Sequence, residues 1–233
     1  MDTTTTRSGG TTSAEDQAAN FRRQFERMGC AQLHDAAMTI AKVLDPAIVC
    51  RTPGRKLAGP AFPVVTDNDM LPCLQGLDGA PAGSVLFIHN RSAASEALAG
   101  NILTTAARLQ GLAGLVVDGA IRDLDSLAEL ELPVFSRSVT YVSAKTTQKP
   151  AAEVPCRVEV GGVAIEAGDW LFGDADGLLL VEKARVRAVL TGAMVLFHRE
   201  SELITALHRG ERLGSLIGLT EFLAGRGPLR FEV

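Results

Sequence analysis

The segment GNILTTAARLQGLAGLVVDGAIRD, Gly100 to Asp123, constrains the fold of this 233-residue chain more than any other. Asn101 precedes apolar residues at helical spacing, and Gly111 is placed to end the helix that they predict. The apolar run 115–117 is typical of a short buried strand, and Asp118-Gly119 predicts a turn after it. We therefore expect the end of the strand and the start of the helix to lie close together.

The start of this helix predicts an anion-binding site. The first backbone N–H groups of a helix have no partner within it, so those of Gly100, Asn101, Ile102 and Leu103 would face an anion. Arg122 supplies a positive counter-charge, and Asp123 supplies a hard oxygen ligand for a divalent cation. An adjacent arginine and aspartate are more often solvated surface groups worth ~0–1 kcal/mol, so the pair alone identifies no site.

Composition and charge limit the class of protein. A net charge of −4, a pI of about 5.6 and intermixed charge signs argue against non-specific nucleic-acid binding. The 46% hydrophobic content is typical of a domain with a sizeable core. No apolar run reaches the roughly 18 residues that span a bilayer, and the N-terminus lacks the apolar core of a signal peptide. We expect a cytoplasmic protein with no nucleic-acid or membrane partner.

The chain is predicted to fold as one domain, residues 16–233, behind a disordered tail of residues 1–15 that is rich in Thr, Ser and Gly. The segments FRRQFERMG and AQLHDAAMTIAKVL predict two helices broken around Gly29, and Asp45-Pro46 ends the second. Further strands and short helices are predicted, in chain order, at GPAFPVVT (strand), DMLPCLQGLDGA (helix), SVLFIHN (strand), LDSLAELEL (helix) and PVFSRSVT (strand).

The last third of the chain changes pattern. The segment CRVEVGGVAIEAGDWLFGDADGLLLVEK contains three short runs separated by Gly-Gly, Gly-Asp and Asp-Gly, which is typical of an antiparallel meander or small barrel. An amphipathic helix is predicted over about 183–209. Asp174, Asp176 and Gly177 resemble part of a calcium loop, but the required glutamate is missing, so we interpret them as a turn between strands.

The cysteines and histidines show no ligand spacing, which argues against a structural zinc site or a disulfide framework. We interpret the cysteines as free thiols and the histidines as packing or surface residues. They are Cys30, Cys50, Cys73 and Cys156, and His34, His89, His198 and His208.

The segment that ends in Arg122-Asp123 resembles the signature of the RraA-like family. The resemblance extends over about residues 20–220, through AQLHDAA, GPAFPVV, PAGSVLFI and EAGDWLFGDADGLLLV to Gly210-Glu211. The family includes class II, metal-dependent 4-hydroxy-4-methyl-2-oxoglutarate / 4-carboxy-4-hydroxy-2-oxoadipate aldolases and regulators of ribonuclease activity. It implies an α/β fold of the swivelling β/β/α type, with a central β-structure flanked by helices, and a homotrimer or homohexamer with sites between subunits.

The resemblance also assigns roles to residues. In the aldolases, the arginine matched by Arg122 contacts the keto or enolate oxygen of the substrate, and the aspartate matched by Asp123 ligates Mg2+ or Mn2+. The loop amides matched by residues 100–103 hold the carboxylate of a pyruvate unit. A glutamate from the C-terminal helix of a neighbouring subunit reaches water on the metal, and Glu200 is matched to it, with Glu202 as second choice.

The implied reaction is retro-aldol cleavage of a 4-hydroxy-2-oxo acid through a pyruvate enolate, with decarboxylation of oxaloacetate as a related activity. The aldolases carry an acid where this chain has Asn101, which favours a rival class, a non-catalytic binding module that regulates a ribonuclease or helicase. The regulators tend to lose the aspartate that this chain keeps as Asp123, which favours an enzyme. The polar segment YVSAKTTQKPAAE predicts a loop whose Lys and Thr residues fold over a site. A metal-dependent lyase or hydratase acting on another oxo acid, differing in the loop 141–149, is a third reading.

Overall fold

The computed structural model describes residues 13–147, 150–151 and 153–229. Its helices are α1 (Ala14–Arg27), α2 (Cys30–Ala36), α3 (Met70–Gly79), α4 (Asn101–Leu109), α5 (Leu124–Glu129), α6 (Val186–His208), α7 (Leu213–Leu216) and α8 (Leu219–Leu223). Its strands are β1 (Lys42–Val43), β2 (Val49–Cys50), β3 (Leu57–Thr66), β4 (Val85–Asn90), β5 (Ala97–Ala99), β6 (Gly114–Ile121), β7 (Val134–Val139), β8 (Val158–Val160), β9 (Val163–Ile165), β10 (Trp170–Asp174) and β11 (Gly177–Val181).

The core of the molecule is a nine-stranded mixed sheet. Its order is β1-β11-β10-β3-β4-β6-β7-β2, with β5 paired to β6. Strands β3, β4, β6 and β7 are parallel, and β10, β11, β1 and β2 are antiparallel to their neighbours. Helix α3 connects β3 to β4, and α5 connects β6 to β7, so the carboxyl ends of the parallel strands share one edge. The predicted α/β class, with a central β-structure flanked by helices, is confirmed.

Both faces of the parallel strands are buried, which explains their continuous apolar sequences. On one face, Leu86 and Leu115 pack in a cluster with residues of α3, α4 and α5. On the other, Phe87 and Phe135 pack against residues of β10 and β11 such as Leu180. Burying one such side chain stabilises the fold by roughly 1.5–3 kcal/mol. The two clusters fix the strand ends on which the candidate site stands.

The second predicted helix is shorter than expected. Helix α2 ends at Ala36, Ala37 leaves the helical conformation, and residues 42–43 form β1 instead of a final helical turn. Lys42 pairs with Leu180 at the edge of the sheet. The prediction over residues 31–44 was wrong beyond Ala36, because pairing with a distant strand overrides local apolar periodicity.

The predicted turn at Asp118-Gly119 was also wrong, because both residues lie inside β6, which extends from Gly114 to Ile121. Asp118 is only 5% exposed, and its carboxylate is satisfied by side chains of neighbouring strands. A Cβ at Gly119 would lie 3.2 Å from the Cβ of Asn90 and 3.3 Å from Leu98 Cδ1. The glycine thus allows close packing between strands and does not form a turn.

The C-terminal β-region consists of four strands in two hairpins, where the sequence predicts three runs in an antiparallel meander or small barrel. The Gly161-Gly162 turn joins β8 to β9, which form a separate two-stranded sheet. The predicted turn between Asp174 and Gly177 is confirmed, since these residues are paired at the end of β10 and β11. The Asp174 carboxylate accepts the Cys30 N–H at 2.7 Å, so it also fixes the start of α2.

The long amphipathic helix predicted over about 183–209 is α6. Its first half buries Val189, Leu190 and Ala193 against α1, α2 and the outer face of β10, while Ile204 near its end is exposed. None of the described helices has the length and apolar character needed to cross a membrane. The four cysteines are free thiols, as predicted. Residues 1–12 of the predicted tail lie outside the described residues, and α1 begins at Ala14.

Candidate functional site

The candidate site lies where β6 ends. The Arg122 N–H donates to the carbonyl of Ala99 at 3.0 Å, so the chain still follows β5 at this point. Asp123 then adopts a left-handed conformation, with φ 64° and ψ 38°, and α5 begins at the next residue. Non-glycine residues rarely take this conformation, although aspartate tolerates it better than most. The sharp turn directs the Asp123 side chain back toward the start of α4.

The Asp123 carboxylate is bonded to the first turn of α4. Its Oδ2 accepts the Asn101 N–H at 2.9 Å. Gly100 permits this approach, because a Cβ there would lie 2.6 Å from Asp123 Oδ2 and 2.9 Å from Arg122 Cγ. The φ of Gly100 is −163°, an extended value open to any residue, so space and not backbone conformation requires the glycine. The predicted proximity of the strand end and the helix start is confirmed.

The hydrogen bond between Asn101 and Asp123 reduces the number of amides at the start of α4 that are available to an anion. Of the predicted anion-binding amides, that of Asn101 already donates to a carboxylate of the same chain. The N–H groups of Ile102 and Leu103 occupy the first turn of α4, where a helix offers them no internal acceptor. Asp123 therefore acts as the anion at one edge of the helix terminus and leaves these two amides for a ligand.

Arg122 and Asp123 form a loose ion pair. The Arg122 Nε lies 3.5 Å from Asp123 Oδ2, and each side chain is 39% exposed. Water screens a pair this open, so it contributes ~0–1 kcal/mol to stability. Both charges thus remain available to a bound molecule.

Two cavities flank Arg122. The first, of about 270 Å³, lies between α3 and α4, and its lining is mainly apolar, with Met70, Leu74, Leu77, Ala97, Ala99, Gly100, Ile102, Leu103, Ala106, Arg122 and Ser143. The second, of about 390 Å³, is lined by Arg122, Asp123, Val139, Thr140 and Tyr141. Arg122 is common to both cavities, so a ligand that contacts it has room on two sides.

Part of this lining comes from a segment that the sequence predicts only as a loop. Residues 140–147, which we call the strap, follow β7 and run across the carboxyl edge of the sheet. Thr140 and Tyr141 enter the second cavity and Ser143 enters the first. The polar composition of this segment predicts a loop over a site, but its course depends on hydrogen bonds to residues distant in the sequence.

Glu200 and Glu202, matched to a glutamate that acts from a neighbouring subunit, lie on α6. Glu200 Oε2 accepts a hydrogen bond from Gln32 Nε2 at 2.6 Å, which ties α6 to α2. Glu202 lines a separate cavity with His198 and Arg209. Neither residue lines the two cavities at Arg122, so a role for either one requires a second copy of the chain and stays a prediction.

A buried charged network lies on the same strand and is absent from the sequence predictions. Asp118 Oδ1 accepts a hydrogen bond from Arg137 Nε at 2.7 Å, and its Oδ2 lies 2.8 Å from His89 Nδ1. Arg137 also pairs with Asp45 at 2.9 Å. Burial would raise the pKa of Asp118, but the bonds from His89 and Arg137 outweigh burial and hold that pKa below its usual value.

The described residues contain no group of three or more His, Cys, Asp or Glu side chains placed to hold a metal ion. Asp123 is the single carboxylate among the residues that line the two cavities. Mg2+ often binds through one or two carboxylates and takes its remaining ligands from water and substrate oxygens. The donor set of one chain therefore fits a cation that is bound together with a chelating ligand.

The fold and the site define an α/β protein that presents an Arg-Asp pair and a helix N-terminus at the carboxyl edge of a parallel sheet. A family model described as RraA-like, Aldolase/RraA, matches residues 30–180. The chain belongs to this family, as its central segment predicts.

Individual relatives agree with this assignment. A protein from Halalkalibacterium halodurans, named as a candidate 4-hydroxy-4-methyl-2-oxoglutarate aldolase, is 37% identical over 175 residues, which cover 75% of this chain and 82% of the relative. An uncharacterized protein from Pseudomonas syringae pv. tomato superposes with a TM-score of 0.74 at 26% identity, over 85% of this chain and 96% of that one. The RNA-processing inhibitor RraA from Thermus thermophilis superposes with a TM-score of 0.59 at 30% identity, over 65% and 90% of the two chains.

Proposed function

We propose that this protein is a divalent-metal-dependent aldolase that cleaves a 4-hydroxy-2-oxo acid to pyruvate, with oxaloacetate decarboxylation as a second activity. The observation that carries the proposal is the convergence of Arg122, Asp123 and the first turn of α4 on adjoining cavities. The name of the Halalkalibacterium halodurans relative supports a substrate of the 4-hydroxy-4-methyl-2-oxoglutarate type. The 4-carboxy-4-hydroxy-2-oxoadipate type belongs to the same substrate class.

The first turn of α4 and Arg122 bind the 2-oxo acid. Its carboxylate accepts hydrogen bonds from the first-turn N–H groups, those of Ile102 and Leu103. The guanidinium of Arg122 lies between the two cavities and carries a fixed positive charge. Both groups stay in place through the reaction, so binding requires little rearrangement of the protein.

Asp123 is the proposed ligand for Mg2+ or Mn2+. Its Oδ2 is directed by the Asn101 N–H, which orients the carboxylate toward the second cavity. When bound, the cation supplies Lewis-acid polarisation of the 2-oxo group. The hydrogen bond from the Asn101 N–H holds one oxygen of this carboxylate in place, which favours a preformed ligand.

Arg122 is the proposed stabiliser of the negative charge that develops on the keto oxygen as the C3–C4 bond breaks. The electrons of that bond move toward the pyruvate unit and form an enolate, whose oxygen accepts hydrogen bonds from the guanidinium. The C4 hydroxyl gives its proton to water and becomes the carbonyl of the second product, and C3 of the enolate then takes up a proton to give pyruvate. The interaction with the guanidinium is stronger with the enolate than with the neutral ketone, so it lowers the barrier rather than only tightening binding.

A homotrimer or homohexamer is part of the proposal. The Ile102 side chain is 84% exposed, and Leu74 and Leu109 nearby on α3 and α4 are exposed as well. Apolar surface of this kind beside a site favours an interface with another subunit. A partner copy would then bring Glu200 of its α6 toward Asp123.

The test measures pyruvate released from 4-hydroxy-4-methyl-2-oxoglutarate and from oxaloacetate, with Mg2+, with Mn2+ and after chelation. The proposal requires turnover that disappears on chelation and returns when the cation is restored. Equal turnover with and without chelator would contradict metal dependence. No turnover of any 2-oxo acid with either cation would contradict the aldolase assignment.

A second candidate is a non-catalytic module that regulates RNA processing. The similarity to the Thermus thermophilis RNA-processing inhibitor and the amide side chain of Asn101 favour it. The assay above separates the two: an inactive chain that binds a ribonuclease or helicase in a pull-down with purified proteins supports this module. A third reaction class, a lyase or hydratase on another oxo acid, would instead show turnover with a different product.

A further inference from the structure

A further cavity, of about 310 Å³, lies between α2, β1 and the turn that joins β10 to β11. Gly173 near the end of β10 pairs with Leu57 at the start of β3, so this turn lies at the amino edge of the parallel strands. Arg122 follows β6 at the opposite, carboxyl edge. This cavity, which we call the α2 cavity, shares no described lining residue with the two cavities at Arg122.

The floor of the α2 cavity is apolar. Leu44, Leu178 and Leu179 line it and are buried. The Leu44 N–H donates to the carbonyl of Leu178 at 3.0 Å, which holds the residue after β1 against β11. Val43 at the rim is 55% exposed. A ligand with an apolar body would remove this surface from water, which favours binding.

The charged groups at the rim of the α2 cavity are acidic. Asp35 on α2 and Asp176 in the turn both line the cavity, and both are exposed. The described lining contains neither lysine nor arginine. His34 Nδ1 lies 3.5 Å from Asp35 Oδ1, which is longer than an ordinary hydrogen bond between such atoms. The carboxylate of Asp35 therefore remains open to another donor.

The Cys30 thiol shows that the potential at the cavity wall is negative. This side chain is buried, and its Sγ lies 3.8 Å from the carbonyl oxygen of Gly177. Burial, and after it the carboxylates of Asp174 and Asp176, raise the pKa of the thiol above its usual value, because each disfavours a thiolate. The carboxylates that disfavour an anion at this wall favour a cation there.

The size of the α2 cavity favours a small molecule over a peptide. Its volume is at the lower end of the range of roughly 300–1,000 Å³ that is typical of small-molecule sites. The strand beside it, β1, has only two residues, which is too short an edge for pairing with an extended peptide.

We propose that the α2 cavity is a binding site for small organic amines. The apolar part of the ligand packs on Leu44, Leu178 and Leu179, and the ammonium group pairs with the carboxylates of the rim. An ammonium group has three donors and no acceptor, so it matches Asp35 and Asp176 better than a hydroxyl or a carboxylate does. The site is separate from Arg122, so this inference does not depend on the proposed reaction.

The test uses three ligands that share a phenyl group. 2-Phenylethylamine, 2-phenylethanol and phenylacetate are positive, neutral and negative at pH 7. NMR titration of the 15N-labelled full chain should show the amine binding about fivefold more tightly than the alcohol, and phenylacetate more weakly than both. The shifted amide signals should include those of Ala31, Val43 and Gly177, which line the cavity.

Two double variants test the role of the rim charges. Asp35→Asn/Asp176→Asn removes both charges at nearly constant size, and should lower the affinity for the amine to that for the alcohol while leaving the alcohol unchanged. Asp78→Asn/Glu129→Gln is the matched control, because it removes two exposed charges that line neither the α2 cavity nor the cavities at Arg122. The control should bind both ligands as the wild type does.

A variant that fills the cavity tests its location. Ala31→Phe adds a ring at an exposed position of α2 that lines the cavity, and should weaken the amine and the alcohol alike. The inference is overturned if the wild type binds the alcohol as tightly as the amine or binds no amine at millimolar concentration. It is also overturned if the control double variant weakens the amine as much as Asp35→Asn/Asp176→Asn, since the preference would then reflect net charge alone.

Discussion

Asp118 and Asp123 stand five residues apart at the end of the same strand, yet their surroundings are opposite. Asp118 is 5% exposed and receives hydrogen bonds from two strands, β4 and β7. Asp123 is 39% exposed, pairs loosely with Arg122 at 3.5 Å and faces a cavity. The comparison shows that carboxylate and guanidinium groups bond fully to one another where the sheet is buried, and stay open to a ligand where it ends.

The difference has a physical cause. A buried carboxylate must be paired, because leaving it unpaired costs several kcal/mol, so Arg137 and His89 are committed to Asp118. At the strand end, water solvates the Asp123 carboxylate until a ligand displaces it, so no fixed partner is needed there. Substitutions in the open region should therefore affect activity, and substitutions in the buried network should affect stability.

The largest expected effect is the loss of activity in Asp123→Ala. Removing the proposed cation ligand should abolish cation-dependent pyruvate release from 4-hydroxy-4-methyl-2-oxoglutarate and from oxaloacetate. Stability should fall by about 1–2 kcal/mol, because the Asn101 N–H loses its acceptor at the start of α4 and alanine tolerates the left-handed conformation less well than aspartate. Initial rates and urea unfolding measure the two quantities. Turnover that survives the substitution would remove Asp123 from the metal role.

The next effect is that of Arg122→Ala. If the guanidinium faces the enolate oxygen, the activation barrier should rise by ~3–4 kcal/mol. This lowers kcat, with a smaller change in KM. Arg91→Ala is the matched control, because Arg91 forms an exposed pair with Asp67 and lines neither cavity at Arg122. A kcat for Arg122→Ala within a fewfold of the control would make Arg122 a surface charge.

In the buried network, Asp118→Asn should cost about 2–3 kcal/mol of unfolding free energy, since two hydrogen bonds to charged or polar partners weaken inside the fold. The fraction that remains folded should keep its kcat, because Asp118 lines neither cavity at Arg122. Denaturant unfolding with parallel rate measurements tests both statements. A variant of normal stability and low kcat would contradict the separation of the two regions.

The same network predicts a dependence on pH. The folded-state pKa of Asp118 is lowered, so its contribution to stability is fully present above its unfolded pKa of about 4 and is lost as the pH falls through the lower folded value. The stability difference between the wild type and Asp118→Asn should therefore shrink below about pH 4. Unfolding curves at pH 7 and pH 3 provide the comparison, and a constant difference would show that the carboxylate charge contributes nothing.

The sequence predicts a contact well when the contacting residues are close in the chain, and poorly when they are far apart. The two regions differ in this respect. The proximity of Asp123 and Asn101 follows from one short helix-strand unit, so local patterns were enough to predict it. The burial of Asp118 depends on Arg137 and His89, which lie 19 and 29 residues away. Nothing near Asp118-Gly119 signals those partners, and the dipeptide alone predicts a turn.

The strap shows that prediction from local sequence has the same limit within the site. Its polar sequence predicts a loop, but its position depends on Ala97 and on Asp69, the latter 78 residues from Thr147. The capping of α4 by Asp123 also depends on a left-handed turn, which local propensity does not predict for aspartate after a strand. Residue types were thus predictable at the site, and their orientations were not.

The smallest expected effect comes from Asn101→Asp, which tests whether the open region is built for a cation. Asp keeps an oxygen that accepts the Thr105 hydroxyl, as Asn101 Oδ1 does at 3.2 Å, and adds a negative charge beside Asp123. Two effects follow: an acid in the first turn of α4 stabilises the helix by ~0.3–1 kcal/mol, and a second carboxylate strengthens cation binding by up to about tenfold. Mn2+ titration measures affinity, and thermal unfolding without metal measures the helix effect. A more stable protein with unchanged Mn2+ affinity would indicate that the new charge acts on the helix alone and would separate position 101 from the metal site.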